Sequence, residues 1–108
     1  MSEELIGFIT CPPEKGQEIS RIVVAEKLVA CVNIIPSVRS IYMWQGKVEN
    51  EEEQMLIVKT TKSKWKQFEN RMKEIHPYEV PEIISFSIAE GYPPYLEWLR
   101  ANVSENAE

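Results

Sequence analysis

Apolar and polar positions alternate along this chain in two rhythms, one of period two and one near 3.6, and the switches between them mark out seven elements. Leu5-Ile6-Gly7-Phe8-Ile9-Thr10 is a short apolar run that predicts a buried strand, ended by Cys11-Pro12-Pro13 because proline cannot continue a ladder. From Glu14 to Ala30 the spacing turns helical, with Ile19, Ile22, Val23 and Val29 near one face and Glu18, Arg21 and Lys27 elsewhere. Cys31 to Ile35 opens a second strand. Pro36 interrupts it, predicting a bend, a bulge or an edge position, and Val38 to Trp44 resumes it. Gln45-Gly46-Lys47 predicts a tight reversal with Gly46 at positive φ, after which Lys47 to Thr60 runs back. Ser63 to Ile75 is the clearest helix, striped by Trp65, Phe68, Met72 and Ile75, and Pro77 must stop it near His76. Glu82 to Ala89 alternates Ile84, Phe86 and Ile88 against Ser85 and Ser87, a strand with one wetter face. Gly91-Tyr92-Pro93-Pro94 breaks it, and Tyr95 to Val103 is a short last helix before a tail, 104–108, expected to fray.

The order β-α-β-β-α-β-α predicts an α+β, ferredoxin-like split βαβ sandwich with a long hairpin between its second and third strands and an added C-terminal helix. Its helices cover one face of an antiparallel sheet and leave the other free. Met55-Leu56-Ile57-Val58 is apolar on both faces, so both should be covered there. The hairpin arms are also long for 108 residues in a single domain spanning 1–108. Both features point to packing against another chain.

Charge and composition narrow the partners. The formal net charge of −5, from 12 basic and 17 acidic residues, argues against nucleic acid, whose affinity comes mainly from neutralised phosphates. The start, Met1-Ser2-Glu3-Glu4, is acidic where a secretory signal would be basic, and no stretch approaches a membrane span, so the expected location is the cytoplasm. There Cys11 and Cys31 should stay as thiols.

No local motif carries enzyme chemistry. There are four glycines and one histidine, with no Cys-x-x-Cys, no His-x-x-x-His and no nucleophile elbow, so no catalytic residue is assigned. His76 is a natural copper ligand, yet a histidine at a helix end more often orders the turn by bonding a local carbonyl. Cys31 offers a soft ligand for Cu(I), against the plainer role of a small buried residue. Cys11, at a strand end, ranks below it. Glu49, Glu51, Glu52 and Glu53 read as a solvated edge that discourages aggregation rather than as a cation site, since alternate residues on a strand point to opposite faces.

Five stretches nevertheless carry a resemblance: Leu28-Val29-Ala30-Cys31-Val32-Asn33-Ile34-Ile35-Pro36, Ser40-Ile41-Tyr42-Met43-Trp44-Gln45-Gly46-Lys47, Lys59-Thr60, His76-Pro77-Tyr78-Glu79-Val80-Pro81-Glu82 and Tyr95-Leu96-Glu97-Trp98-Leu99. In this order the chain resembles the CutA divalent-cation tolerance family from about Ile9 to Arg100. The resemblance implies a tight homotrimer interlocked through the long hairpins. It also implies association with divalent metal ions, copper above all, with Cys31 and His76 as metal ligands. A second reading takes the shared clefts as small-molecule sites of the P-II-like signalling type, lined by Trp44, Lys59, Tyr78 and Tyr95. A third takes the trimer as a non-catalytic assembly scaffold.

Overall fold

The computed structural model describes residues 3–104, so the fraying expected of 105–108 lies outside the described residues. Its elements are β1 (Glu4–Cys11), α1 (Gly16–Ala25), β2 (Cys31–Trp44), β3 (Lys47–Thr61), α2 (Lys62–Ile75), β4 (Ile83–Ser87) and α3 (Pro93–Val103). The strands form one antiparallel sheet in the order β2-β3-β1-β4, the ferredoxin-like split βαβ arrangement with an added C-terminal helix.

Local chemistry explains most boundaries. Gln45 and Gly46 both take positive φ, 50° and 80°, the two-residue reversal whose twist suits a hairpin. Pro36 and Ser37 oppose only Gln54, so the ladder slips between Ile35 and Val38, and β2 lies at the sheet edge. The expected bulge and edge position therefore occur together. At the end of α2, His76 leaves helical geometry one residue before Pro77.

The boundaries of the first and last helices differ from expectation, and the fourth strand spans Ile83–Ser87 rather than Glu82 to Ala89. The first helix begins at Gly16 rather than Glu14, because Glu14 sits at φ 72° in a turn closed by Lys15 N–H to Pro12 O at 3.2 Å. It ends at Ala25 rather than Ala30. Lys27 takes φ 62°, the Leu28 amide donates to Val23 O and the Lys27 amide to Val24 O, a Schellman closure without the usual glycine. The last helix opens two residues earlier than expected, with Pro93 and Pro94 as its first positions. Proline costs nothing there because the first-turn amides have no helical partner.

The core lies between the sheet and α1 with α2. Ile9, Cys11, Leu56 and Val58 meet Ile19, Val23, Phe68 and Met72, all at most 3% exposed. Gly7 lets the Trp65 ring lie on the sheet, since a Cβ there would stand 2.9 Å from both the ring and Val58. Leu99 and Val103 of α3 form a second cluster with Ala30 and Ile88.

The opposite face of the sheet carries Ile6, Phe8 and Thr10 on β1, Met55, Ile57 and Lys59 on β3, Ile84 and Phe86 on β4, and Cys31, Asn33 and Ile35 on β2. Ile35, Ile84 and Phe86 remain 40–52% exposed. The cover expected on both faces of Met55–Val58 is thus present within the chain only over Leu56 and Val58. Beyond the bulge, β2 and β3 run on as a two-stranded ribbon, and Ile41, Met43, Trp44 and Val48 at its far end are 55–69% exposed. The ribbon accounts for a long axis of 45 Å against 26 and 22 Å across.

Candidate functional site

The chemistry-bearing side chains gather in two places. The first is the corner of the open face where β2 begins and α3 approaches. Antiparallel pairing sets Cys31 opposite Lys59, and Lys59 Nζ lies 3.9 Å from Cys31 Sγ and hydrogen-bonds Asn33 Oδ1. Cys31 Sγ also reaches Asn33 Oδ1 at 3.7 Å. Tyr95, near the start of α3, completes the corner. Partial burial, and then the nearby Cys31 sulfur, hold its phenol pKa above the ordinary value.

The second place is the other end of the sheet. His76 is buried, with Nε2 2.8 Å from the Thr10 carbonyl oxygen, while the Tyr78 backbone N–H donates to Nδ1 at 3.1 Å. An Nδ1 that accepts leaves the ring proton on Nε2, where it donates to Thr10. Both ring nitrogens are thereby committed to backbone, and binding a metal would require giving one of these bonds up. The Tyr78 hydroxyl donates to Glu53 Oε2 at 2.7 Å, a charge-assisted bond. Partial burial and that carboxylate push the Tyr78 phenol pKa upward. Cys11, fully buried beside Glu53, has its thiol pushed up to about 11, by burial first and by the Glu53 charge second.

The sequence-derived ligands do not meet within one chain. Cys31 pairs with Lys59, which pairs with Ile6, while His76 holds the carbonyl of Thr10 four positions further along β1. That is about 13 Å along the strands and two strand spacings across, so one ion cannot span both. Among the described residues no group of three His, Cys, Asp or Glu side chains is arranged to hold a metal. The four residues of the expected cleft are spread out too. Trp44 stands at the ribbon tip opposite Lys47, twelve positions from Lys59 along β3 and about 40 Å away. Tyr78 is with Glu53, and only Lys59 and Tyr95 share a corner.

Two participants were not singled out from the sequence. Asn33 carries no signal of its own until the register brings it beside Lys59. Glu53 corrects the reading of the acidic run as a solvated edge. It is 6% exposed, whereas Glu51 and Glu52 are exposed and bond Tyr42 and Ser37 across the ribbon.

A helix-backed antiparallel sheet with one open face and an outreaching ribbon defines the class, a ferredoxin-like α+β domain. The model of the CutA1 divalent ion tolerance protein family matches residues 5–102, and the chain belongs to that family. It is 48% identical over 100 residues to the divalent-cation tolerance protein CutA of Thermus thermophilus, covering 92% of this chain and 97% of that one. Identity to protein CutA of Mus musculus is 45% over 94 residues, 86% of this chain and 53% of that relative, about half its length. Among solved structures, the Thermus thermophilus protein superposes with a TM-score of 0.91 at 46% identity, covering 94% and 99% of the two chains. The PII-like protein CutA of a Nostoc species, in apo form, gives 0.87 at 33% identity, covering 93% and 97%. No helix among the described residues is long and apolar enough to cross a membrane.

Proposed function

We propose that this chain serves divalent-cation tolerance as a non-catalytic cytoplasmic homotrimer that takes up copper at Cys31. One observation carries the assembly: the open sheet face together with the ribbon. Ile6, Phe8, Met55 and Ile57 are only partly covered, Ile35, Ile84 and Phe86 are more open still, and the ribbon adds exposed Ile41, Met43 and Trp44. A contiguous apolar surface of this kind is what an interface buries, and a two-stranded ribbon in water is marginal without one. The number three comes from the family resemblance.

For copper, Cys31 is the half-buried thiol of the open face, whereas Cys11 is sealed in the core. A soft sulfur ligand suits Cu(I). His76 joins it only by releasing Thr10 or Tyr78, and only from another subunit. The same backbone bonds keep His76 from acting as a base for Cys31, which is why the reading is non-catalytic. Sedimentation at micromolar concentration and titration with Cu(I) and Cu(II) test both parts. The expectation is a trimer that Ile57→Lys dissociates and copper uptake that Cys31→Ala abolishes. A folded wild-type monomer would sink the assembly, and unchanged copper affinity in Cys31→Ala would sink the site.

A second reading has one observation in its favour: Lys59 and Tyr95 mark a polar corner on an otherwise apolar face. A P-II-like small-molecule cleft between subunits would draw on that corner, with Trp44 and Tyr78 supplied from other chains. Thermal stabilisation by one class of metabolite is its test.

A further inference from the structure

We propose that the corner formed by Lys59, Asn33, Cys31 and Tyr95 binds a small oxyanion, the carboxylate or phosphoryl group of a metabolite. The inference rests on the cleft reading at Lys59 and Tyr95 and narrows it to one ligand chemistry.

On the open face Lys59 has Ile6 and Ile57 as neighbours, while the carboxylates that share this face, Glu4 and Glu53, are already bonded to Arg100 and Tyr78. Lys62 and Lys66 sit beside the carboxylates of Glu3 and Glu69. Lys59 has no carboxylate partner among the described residues. Its ammonium is held by an amide oxygen and a sulfur instead. An ammonium has three donors, and these two acceptors leave one over. Partial removal from water on an apolar surface strengthens its attraction for an anion. The held position also lowers the ordering cost of binding. Tyr95 adds a phenol at the edge of the corner. Unlike Cu(I), which the Cys31 sulfur would bond directly, an organic cation has nothing there to offset the fixed ammonium, and a neutral apolar ligand would leave that charge buried without compensation.

The test is calorimetric titration of the assembled protein with inorganic phosphate and, separately, with succinate. Saturable binding is expected for at least one of them, which also says whether the group is phosphoryl or carboxylate. Lys59→Met should weaken binding at least about tenfold, the scale of a hydrogen bond to a charged group. Lys59→Arg keeps the charge and should keep most of the affinity, Tyr95→Phe should lose a few-fold, and Lys73→Met on α2 should change nothing. If Lys59→Met fails to fold, Lys59→Gln takes its place. No saturation below about 10 mM, equal affinity in the Lys59 variants, or an equal loss in Lys73→Met would overturn the proposal. Thermal stabilisation by neutral or cationic compounds alone, lost in Tyr95→Ala, would overturn the anion while leaving the cleft in place.

Discussion

Replacing His76 by alanine tests whether the histidine holds the loop or holds a metal. The side chain supplies two hydrogen bonds, Nε2–H to the Thr10 carbonyl at 2.8 Å and Nδ1 as acceptor for the Tyr78 amide at 3.1 Å. Its ring also packs on Tyr78, centroid to centroid at 4.9 Å. Truncation leaves a carbonyl and an amide unpaired in a buried site, at about 1–3 kcal/mol each. The Tyr78 amide is only part-buried, so water recovers some of its share, and the expected loss is about 2–4 kcal/mol. Urea unfolding at one fixed protein concentration measures it, since the proposed assembly would make stability depend on concentration. Copper titration of the same variant should match wild type. A stability loss under about 0.5 kcal/mol, or lost copper uptake at unchanged stability, would refute the account of the ring as a backbone clamp.

The other expectations are narrower. Leu99→Ala empties the centre of the second core cluster, where Leu99 is fully buried, and should cost about 2–5 kcal/mol by denaturant unfolding. Gly7→Ala places a methyl 2.9 Å from the rigid Trp65 ring and from Val58, so it should destabilise by about 1–3 kcal/mol despite removing a strand glycine, with the Trp65 emission shifting as the ring moves. A thiol reagent at neutral pH should label one cysteine per native chain, Cys31, and reach Cys11 only after unfolding; rapid labelling of both in the folded protein would contradict the burial of Cys11. The Cys11 thiol is raised from the usual 9 to about 11 in the folded state, which therefore holds its proton more tightly than the unfolded chain does. Its contribution is fully present below about pH 9 and lost as pH rises towards 11, and Cys11→Ala should flatten that part of the stability profile.

How much was legible from residues alone differs between the fold and the site. Gly46, Pro36 and Pro77 announced a reversal, a bulge and a helix stop, because each restricts the backbone through its own covalent structure. The end of α1 was not legible, since Lys27 adopts a left-handed conformation that glycine normally signals, held there by the Schellman bonds and by Leu28 turning into the core. Pro93 and Pro94 read as a break in the sequence, although the same ring that ends one helix can begin another. In the acidic run, only the placement of Tyr78 separates buried Glu53 from its exposed neighbours Glu51 and Glu52.

By itself the sequence determined the split βαβ order, the open apolar sheet face and the long ribbon, because hydrophobic period and turn chemistry are local properties. Tertiary structure alone decided which side chains meet. The β2–β3 register sets Cys31 and Asn33 beside Lys59, and the packing of α2 beyond β1 fastens His76 to the Thr10 backbone far from that corner. Contacts between residues 28 and 66 positions apart depend on strand alignment and helix docking, which emerge only when the whole chain buries its core at once.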